Sequence, residues 1–190
     1  MEEGQVTVDG VSHRIPEPFC VFATQNPTGA SGTQLLPDSQ MDRFTVRLSI
    51  GYPAPADERE ILLSRQKGNP LLQVRQVVTR EELLSMQQEA ANVYLKPERA
   101  DYIVSLVGKT RQDPLIARGA SPRATLSLSA MAKSVAYVQG RDYVLPKDIQ
   151  AVFVSTCAHR LLLSAEADAK GMRAEELLES ILKSTPAPRI

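Results

Sequence analysis

The sequence predicts a short α/β unit followed by an all-α bundle. Two observations carry this. The first third of the 190-residue chain holds alternating or continuous apolar runs broken by Gly, Pro and Asp-Gly. From Thr79 onward, apolar residues recur at helical spacing behind a capping pair. Periods of two and of 3.6 are the primary signals for strand and helix.

In the first third, Gln5-Val6-Thr7-Val8 and Val11-Ser12-His13-Arg14-Ile15 flank Asp9-Gly10. An Asp-Gly pair between alternating runs predicts a hairpin. Phe19-Cys20-Val21-Phe22-Ala23 does not alternate, which predicts a strand covered on both faces. Residues 27–40 are rich in Gly, Ser, Thr and Pro and predict a loop. Residues 44–50 alternate strictly, as a strand with one wet face does. A short helix follows over 56–66, and 67–78 is a linker opened by Lys67-Gly68-Asn69-Pro70.

The remainder is predicted helical. Thr79 and Glu82 have capping-box spacing, each able to satisfy one free N–H of the first turn. The helix behind them presents Leu83, Leu84, Ala91 and Tyr94. Pro97 suits the first turn of the next helix, whose stripe is Ala100, Ile103, Val104 and Val107. Residues 110–120 are expected to be a loop. A helix over 122–139 is expected to bury Leu128, Met131, Val135 and Val138 and to stop at Gly140. Pro146 opens another, with Ile149, Val152, Phe153 and Thr156 on one face. A last helix over 174–183 carries Leu177, Leu178, Ile181 and Leu182, and the Pro-rich end is a frayed tail.

Charge and composition narrow the function. The 22 basic and 22 acidic residues balance to +0, whereas binding to a polyphosphate backbone usually needs a basic excess. No apolar stretch approaches the roughly 18 residues of a membrane helix, and the acidic, polar N-terminus is not a signal peptide. Cys20 and Cys157 sit in apolar runs and are expected to be reduced core thiols of a cytoplasmic protein. His13 and His159 have no Cys or acid at metal-ligand spacing, so no metal site is expected. Gly108-Lys109-Thr110 resembles the end of a phosphate-binding loop, but the required glycine five positions earlier is Ile103, inside a helical stripe.

Three polar residues carry more than a structural reading. Asn26 stands where the apolar strand ends, and ligands gather at the carboxyl ends of parallel strands; a turn residue before Pro27 is the plainer reading. Arg43 precedes the alternating strand. It is open to three readings: a solvated rim charge, a partner of Asp42, or a cation aimed at a neighbour's ligand. Arg123 lies just inside a predicted helix start at Ser121-Pro122. A cation there opposes the helix dipole by a few tenths of a kcal/mol or more, a penalty that a bound anion would reverse.

Taken in order, four segments and the hairpin resemble the MoxR family of AAA+ ATPases. The segments are Ala23-Thr24-Gln25-Asn26-Pro27, Leu36-Pro37-Asp38-Ser39-Gln40-Met41-Asp42-Arg43-Phe44, Gly119-Ala120-Ser121-Pro122-Arg123-Ala124 and Gly140-Arg141-Asp142-Tyr143-Val144. The resemblance covers essentially the whole chain. It implies an α/β remnant, the last strands of an AAA+ core sheet plus the hairpin, followed by an all-α lid bundle. The implied divisions are core over 1–66, linker over 67–78, lid over 79–185 and tail over 186–190. It also implies roles. Asn26 would sense the γ-phosphate and position water, and Arg43 would be the arginine finger reaching into the adjacent subunit. Arg123 would contact the phosphates of its own subunit's nucleotide. ATP and Mg2+ would be the ligands of the intact protein. The assembly would be a hexameric ring acting on client proteins, often with von Willebrand factor A domain partners.

The family's phosphate-binding loop and Asp-Glu magnesium motif are expected to lie before this chain begins, so the chain alone is expected neither to bind ATP tightly nor to hydrolyse it. Residues 1–78 are then expected to be poorly ordered, rearranged or covered. Two departures from the family pattern stand out. Gly29-Ala30-Ser31 replaces acidic and amide residues, and Leu145 replaces a capping Thr at about 1 kcal/mol. A non-enzymatic adaptor module is the alternative function, with nucleic-acid binding by a helical lid as a third class disfavoured by the charge.

Overall fold

The computed structural model describes residues 4–25, 36–66 and 68–189. Strands β1 (Gln5–Val8) and β2 (Val11–Arg14) pair antiparallel, with Val8 opposite Val11. Asp9 (φ 51) and Gly10 (φ 78) both adopt positive φ, the turn geometry whose twist matches that of the strands. Thr7 and Ser12 join their hydroxyls across the ladder at 3.0 Å.

The next two strand readings need correction. Residues 19–23 and 44–50 are not in strands, and neither joins a sheet among the described residues. Phe22 is 91% and Ile50 98% exposed. An alternating or apolar pattern records which faces a strand can bury, but a strand exists only where a partner supplies its ladder. Cys20 is likewise exposed, whereas Cys157 is buried as expected. The loop expected over 27–40 contains, in its described part, a one-turn helix α1 (Asp38–Met41). Helix α2 (Pro55–Gln66) forms as expected, with no buried residue, and the linker holds a 3₁₀ turn at Pro70–Gln73.

The core lies in the helical bundle. Helix α3 (Arg80–Asn92) starts at the expected capping box: Glu82 N–H donates to Thr79 Oγ1 at 3.2 Å, and Thr79 N–H to Glu82 Oε2 at 2.7 Å. It buries none of its residues, and Leu83 and Tyr94 are exposed. Its attachment is polar instead, through Lys133 to the Ala91 carbonyl at 2.8 Å and Tyr137 to Glu89 at 2.8 Å. Helix α4 (Pro97–Thr110) buries Tyr102, Ile103, Leu106 and Val107, while Val104 turns to solvent. It includes the 108–110 triplet, whose Lys109 donates to the Ser184 carbonyl near the end of the last helix.

Helix α5 (Pro122–Val138) buries Ala124, Leu128, Ala132 and Ala136, each 0% exposed. The expected larger side chains are displaced: Met131 and Val135 flank the core and Val138 is 82% exposed. Small residues four apart form a low ridge that lets a neighbouring helix approach closely. Helix α6 (Pro146–Cys157) packs beside it and buries Ile149, Val152, Phe153 and Thr156, as the periodicity predicts. A 3₁₀ turn, Ala158–Arg160, follows.

The expected loop over 110–120 contains β3 (Ile116–Arg118), which pairs antiparallel with β4 (Leu162–Leu163). Strands this short carry no readable period. Helix α7 (Ala165–Ala169) is capped by Ser164, and α8 (Ala174–Ser184) buries Leu177, Leu178 and Ile181.

Candidate functional site

The head of α5 is set by the turn before it. Thr110 Oγ1 accepts the Ala120 N–H at 3.0 Å and donates to the Val107 carbonyl at 2.6 Å. Arg111 Nε donates to the Ala120 carbonyl at 2.8 Å. A Cβ on Gly119 would lie 2.6 Å from the Thr110 carbonyl oxygen, so only glycine fits this crossing. Ser121 is the N-cap, Pro122 the first helical residue and Arg123 the second. The Ser121 hydroxyl makes no capping bond. It donates to Asp42 instead, 3.0 Å from Oδ1 and 3.1 Å from Oδ2.

Asp42 therefore supplies an anion at the positive end of a 17-residue helix. Arg123 Nη1 lies 3.8 Å from Asp42 Oδ2, and Arg160 Nε 3.7 Å from Oδ1. These two distances are Coulombic contacts, longer than hydrogen bonds. Arg160 itself has a side chain only 1% exposed. Its Nη2 donates to the Phe44 carbonyl at 2.7 Å and to Ser127 Oγ at 3.1 Å. The same carbonyl accepts from His159 Nε2 at 3.0 Å. That bond requires the proton on Nε2, which leaves Nδ1 buried without a partner among the described residues, as is Arg160 Nη1. Burial lowers the His159 pKa, with the Phe44 hydrogen bond opposing and Arg160 adding to the fall. Burial lowers Arg160 as well, with Asp42 opposing.

The contacts continue on both sides. Arg118 bonds Asp38 at 2.6 Å, the Arg47 N–H donates to the Ser155 carbonyl at 2.9 Å, and Arg47 Nη2 meets Glu175 at 2.6 Å. Residues 38–47 are thus fastened to the α5 head, the end of α6 and the first turn of α8. A groove lined by Thr45, Pro122, Arg123, Leu126, Ser127 and Ala130 runs alongside.

On the other side of α5, Arg141 grips Asp148 with two bonds of 2.8 and 2.6 Å. Leu145 provides no cap for α6, but its N–H donates to Asp148 Oδ2 at 2.7 Å, so part of the missing capping is recovered. Burial alone would raise the Asp148 pKa. The Arg141 and Leu145 bonds, with the charges of Arg141 and Lys147, together hold it below the ordinary 3.8.

The three residues singled out in the sequence fare differently. Arg123 stands in the first turn of its helix. Arg43 is exposed, while its neighbours Asp42 and Phe44 are anchored. Asn26 and the departure at 29–31 lie outside the described residues. Sequence reasoning named Asp42 only as a possible partner of Arg43 and His159 only in excluding a metal site, and it missed Arg160. A His-Arg pair between the apolar face of α6 and Leu161-Leu162-Leu163 was the available signal, because charge embedded in apolar sequence needs a buried partner.

Comparison with known proteins identifies the fold. Residues 1–46 match the model of the ATPase family associated with various cellular activities, and residues 108–181 match the AAA lid domain. The crystal structure of an ATPase candidate from Cytophaga hutchinsonii superposes with a TM-score of 0.91 at 33% identity, over 98% of this chain and 59% of that one. The fold is that of the AAA+ ATPase class. YeaC, an uncharacterized protein of Bacillus subtilis, is 39% identical over 99% of this chain and 59% of its own length. The chaperone MoxR1 of Mycobacterium tuberculosis is 37% identical over 100% of this chain and 52% of its own. The chain belongs to the MoxR family of AAA+ ATPases, and it spans little more than half the length of these relatives. Among the described residues no helix is long and apolar enough to cross a membrane.

Proposed function

We propose that this chain carries the sensing and finger elements of an ATP-hydrolysing ring that remodels or matures client proteins. The observation that supports this most is the α5 head. Arg123 occupies its first turn, the N-cap hydroxyl is turned away from capping, and an acidic side chain already sits against it. The Arg123 guanidinium suits an anionic oxygen, so this end of α5 fits a phosphate group provided that the Asp42 carboxylate, which takes the Ser121 hydroxyl and lies 3.8 Å from Arg123, yields or shares it. In this reading Arg123 holds phosphate oxygens of its own subunit's nucleotide, Arg43 reaches the neighbour's, and Asn26 orients water. Bound ATP with Mg2+ would supply the phosphoryl group and the charge that these cations meet.

The division into core over 1–66, linker over 67–78, lid over 79–185 and tail over 186–190 belongs to the same proposal. So do a hexameric ring, a cytoplasmic setting and a von Willebrand factor A domain partner. Phosphoryl transfer is catalysed mostly by positioning and charge stabilisation, and an arginine finger adds about 10³–10⁵ in rate only where the nucleotide is already held. The chain alone is then inactive. Titrating it with a fluorescent ATP analogue and Mg2+ tests this: weak binding is expected. Low-micromolar affinity abolished by Arg123→Ala would contradict the claim that the holding elements lie elsewhere.

A further inference from the structure

We infer that one side of α4 is a receptor surface for an extended, proline-spaced segment, that residues 184–189 of this chain occupy it, and that Arg99 is the clasp that holds them there. The inference does not depend on the nucleotide reading. The Pro-rich end is fastened where fraying was expected. Lys109 Nζ, in the last turn of α4, donates to the Ser184 carbonyl at 2.9 Å. Arg99 Nη2, in the first turn, donates to the Arg189 carbonyl at 3.0 Å. Lys109 and Arg99 stand about 15 Å apart along the helix axis. The chain from Ser184 to Arg189 covers about 16 Å in polyproline-like extension, and Thr185 begins it with φ -108 and ψ 107. The segment therefore runs the length of α4 in extended form, opposite to the direction of the helix.

The residues dictate this conformation. Pro186 and Pro188 each fix their own φ and bias Thr185 and Ala187 before them to extended backbone. Neither proline has an N–H to satisfy, and a segment already extended loses little freedom on docking. Thr185 is 6% exposed and donates its hydroxyl to the Ile181 carbonyl at 2.6 Å, which ends α8 and sets the angle at which the chain departs. At the other end Arg99 is 3% exposed. A buried guanidinium is costly unless acceptors meet it. The Arg189 carbonyl meets Nη2, while Nε has no partner among the described residues. Arg99 also borders a cavity of about 440 Å³ lined by Tyr94, Lys96, Glu98 and Arg189. The Arg99 end is thus fastened by a hydrogen bond beside open space, whereas the Thr185 end is buried. The segment lifts from Arg99 and pivots at Thr185.

Backbone-amide order parameters of the full chain, measured by NMR relaxation, test this. Ala187 and Arg189 should show values of about 0.8 or more, falling below about 0.6 in Arg99→Met while amides of α4 and α8 keep theirs. A second variant, Pro186→Gly with Pro188→Gly, changes positions that are exposed and half-buried and lie outside the core. In it, hydrogen exchange of the Arg99 Nε–H should rise at least fivefold, because a looser segment uncovers the clasp more often. Values below about 0.6 at Ala187 and Arg189 in the unaltered chain overturn the docked segment. Unchanged values in a folded Arg99→Met overturn the clasp. Unchanged Nε–H exchange in the proline variant overturns the claim that the segment covers Arg99, whether or not Arg99→Met folds. Order at Ala187 that is lost on dilution, together with a dimer in sedimentation, assigns the occupant to a second copy and overturns occupancy by the chain's own segment.

Discussion

Replacing Asp148 with Ala should be the most damaging single change at the start of α6. Asp148 is 1% exposed and its carboxylate receives two bonds from Arg141 and one from the Leu145 N–H. Removing it leaves a guanidinium whose side chain is 16% exposed without its counter-charge, and an uncapped N–H at a helix whose N-cap residue has no polar side chain. Breaking one side of a buried pair costs about 3–5 kcal/mol, and a lost cap about 1 kcal/mol. Arg141 keeps some access to water, so the lower end applies and the total should be about 3–4 kcal/mol. The assay is urea unfolding followed by far-ultraviolet circular dichroism, with m unchanged and the midpoint lowered. Adding Arg141→Met to the first change should recover part of the loss, because the orphaned charge is then gone. A loss below about 1 kcal/mol for Asp148→Ala would show that water replaces Asp148 and that the fork is ornamental. The pH sign also follows. The folded pKa lies below 3.8, so this stabilisation is present above that value and is lost as pH falls through the folded pKa.

Two other predictions concern the site. Gly119→Ala should destabilise by about 1–3 kcal/mol, because the new methyl meets backbone at 2.6–2.7 Å and nothing there can swing away; thermal unfolding reads the loss, and native stability would show that the 110–119 crossing opens readily. Burial depresses the pKa of His159, so the unfolded chain binds its proton more readily. Stability from this group is full above the ordinary 6.5 and declines as pH falls below it, by at most about 1.4 kcal/mol per pH unit. His159→Gln should flatten that part of the stability–pH profile, and an unchanged slope would refute the assignment.

The helical bundle was legible because its information is local. The box at Thr79 and Glu82, the prolines that open α4, α5 and α6 and the face of α6 all depend on neighbours within a turn. The face of α5 was misread because residue size was taken as a proxy for burial. In α5, Ala124, Ala132 and Ala136 face the core, and Val138 does not. The strand readings over 19–23 and 44–50 failed because pairing is a property of two segments, and one segment's pattern cannot supply the other. The site was half legible. Arg123 was found from its conflict with the helix dipole, which is a local argument. Asp42 and Arg160 lie far apart in sequence, and no spacing rule brings them together. Only the crossing of residues 38–47 over α5 and the 158–160 turn does so.

The alanines of α5 have one more consequence. Alanine has no rotamers to freeze, so it is buried without the side-chain ordering cost borne by leucine or methionine. It also has no second packing to adopt. At Ala124, Ala132 and Ala136 the α5 face therefore offers no rotamer change by which a push could be taken up, and any adjustment there has to come from Leu128 or from the α6 side chains that meet it.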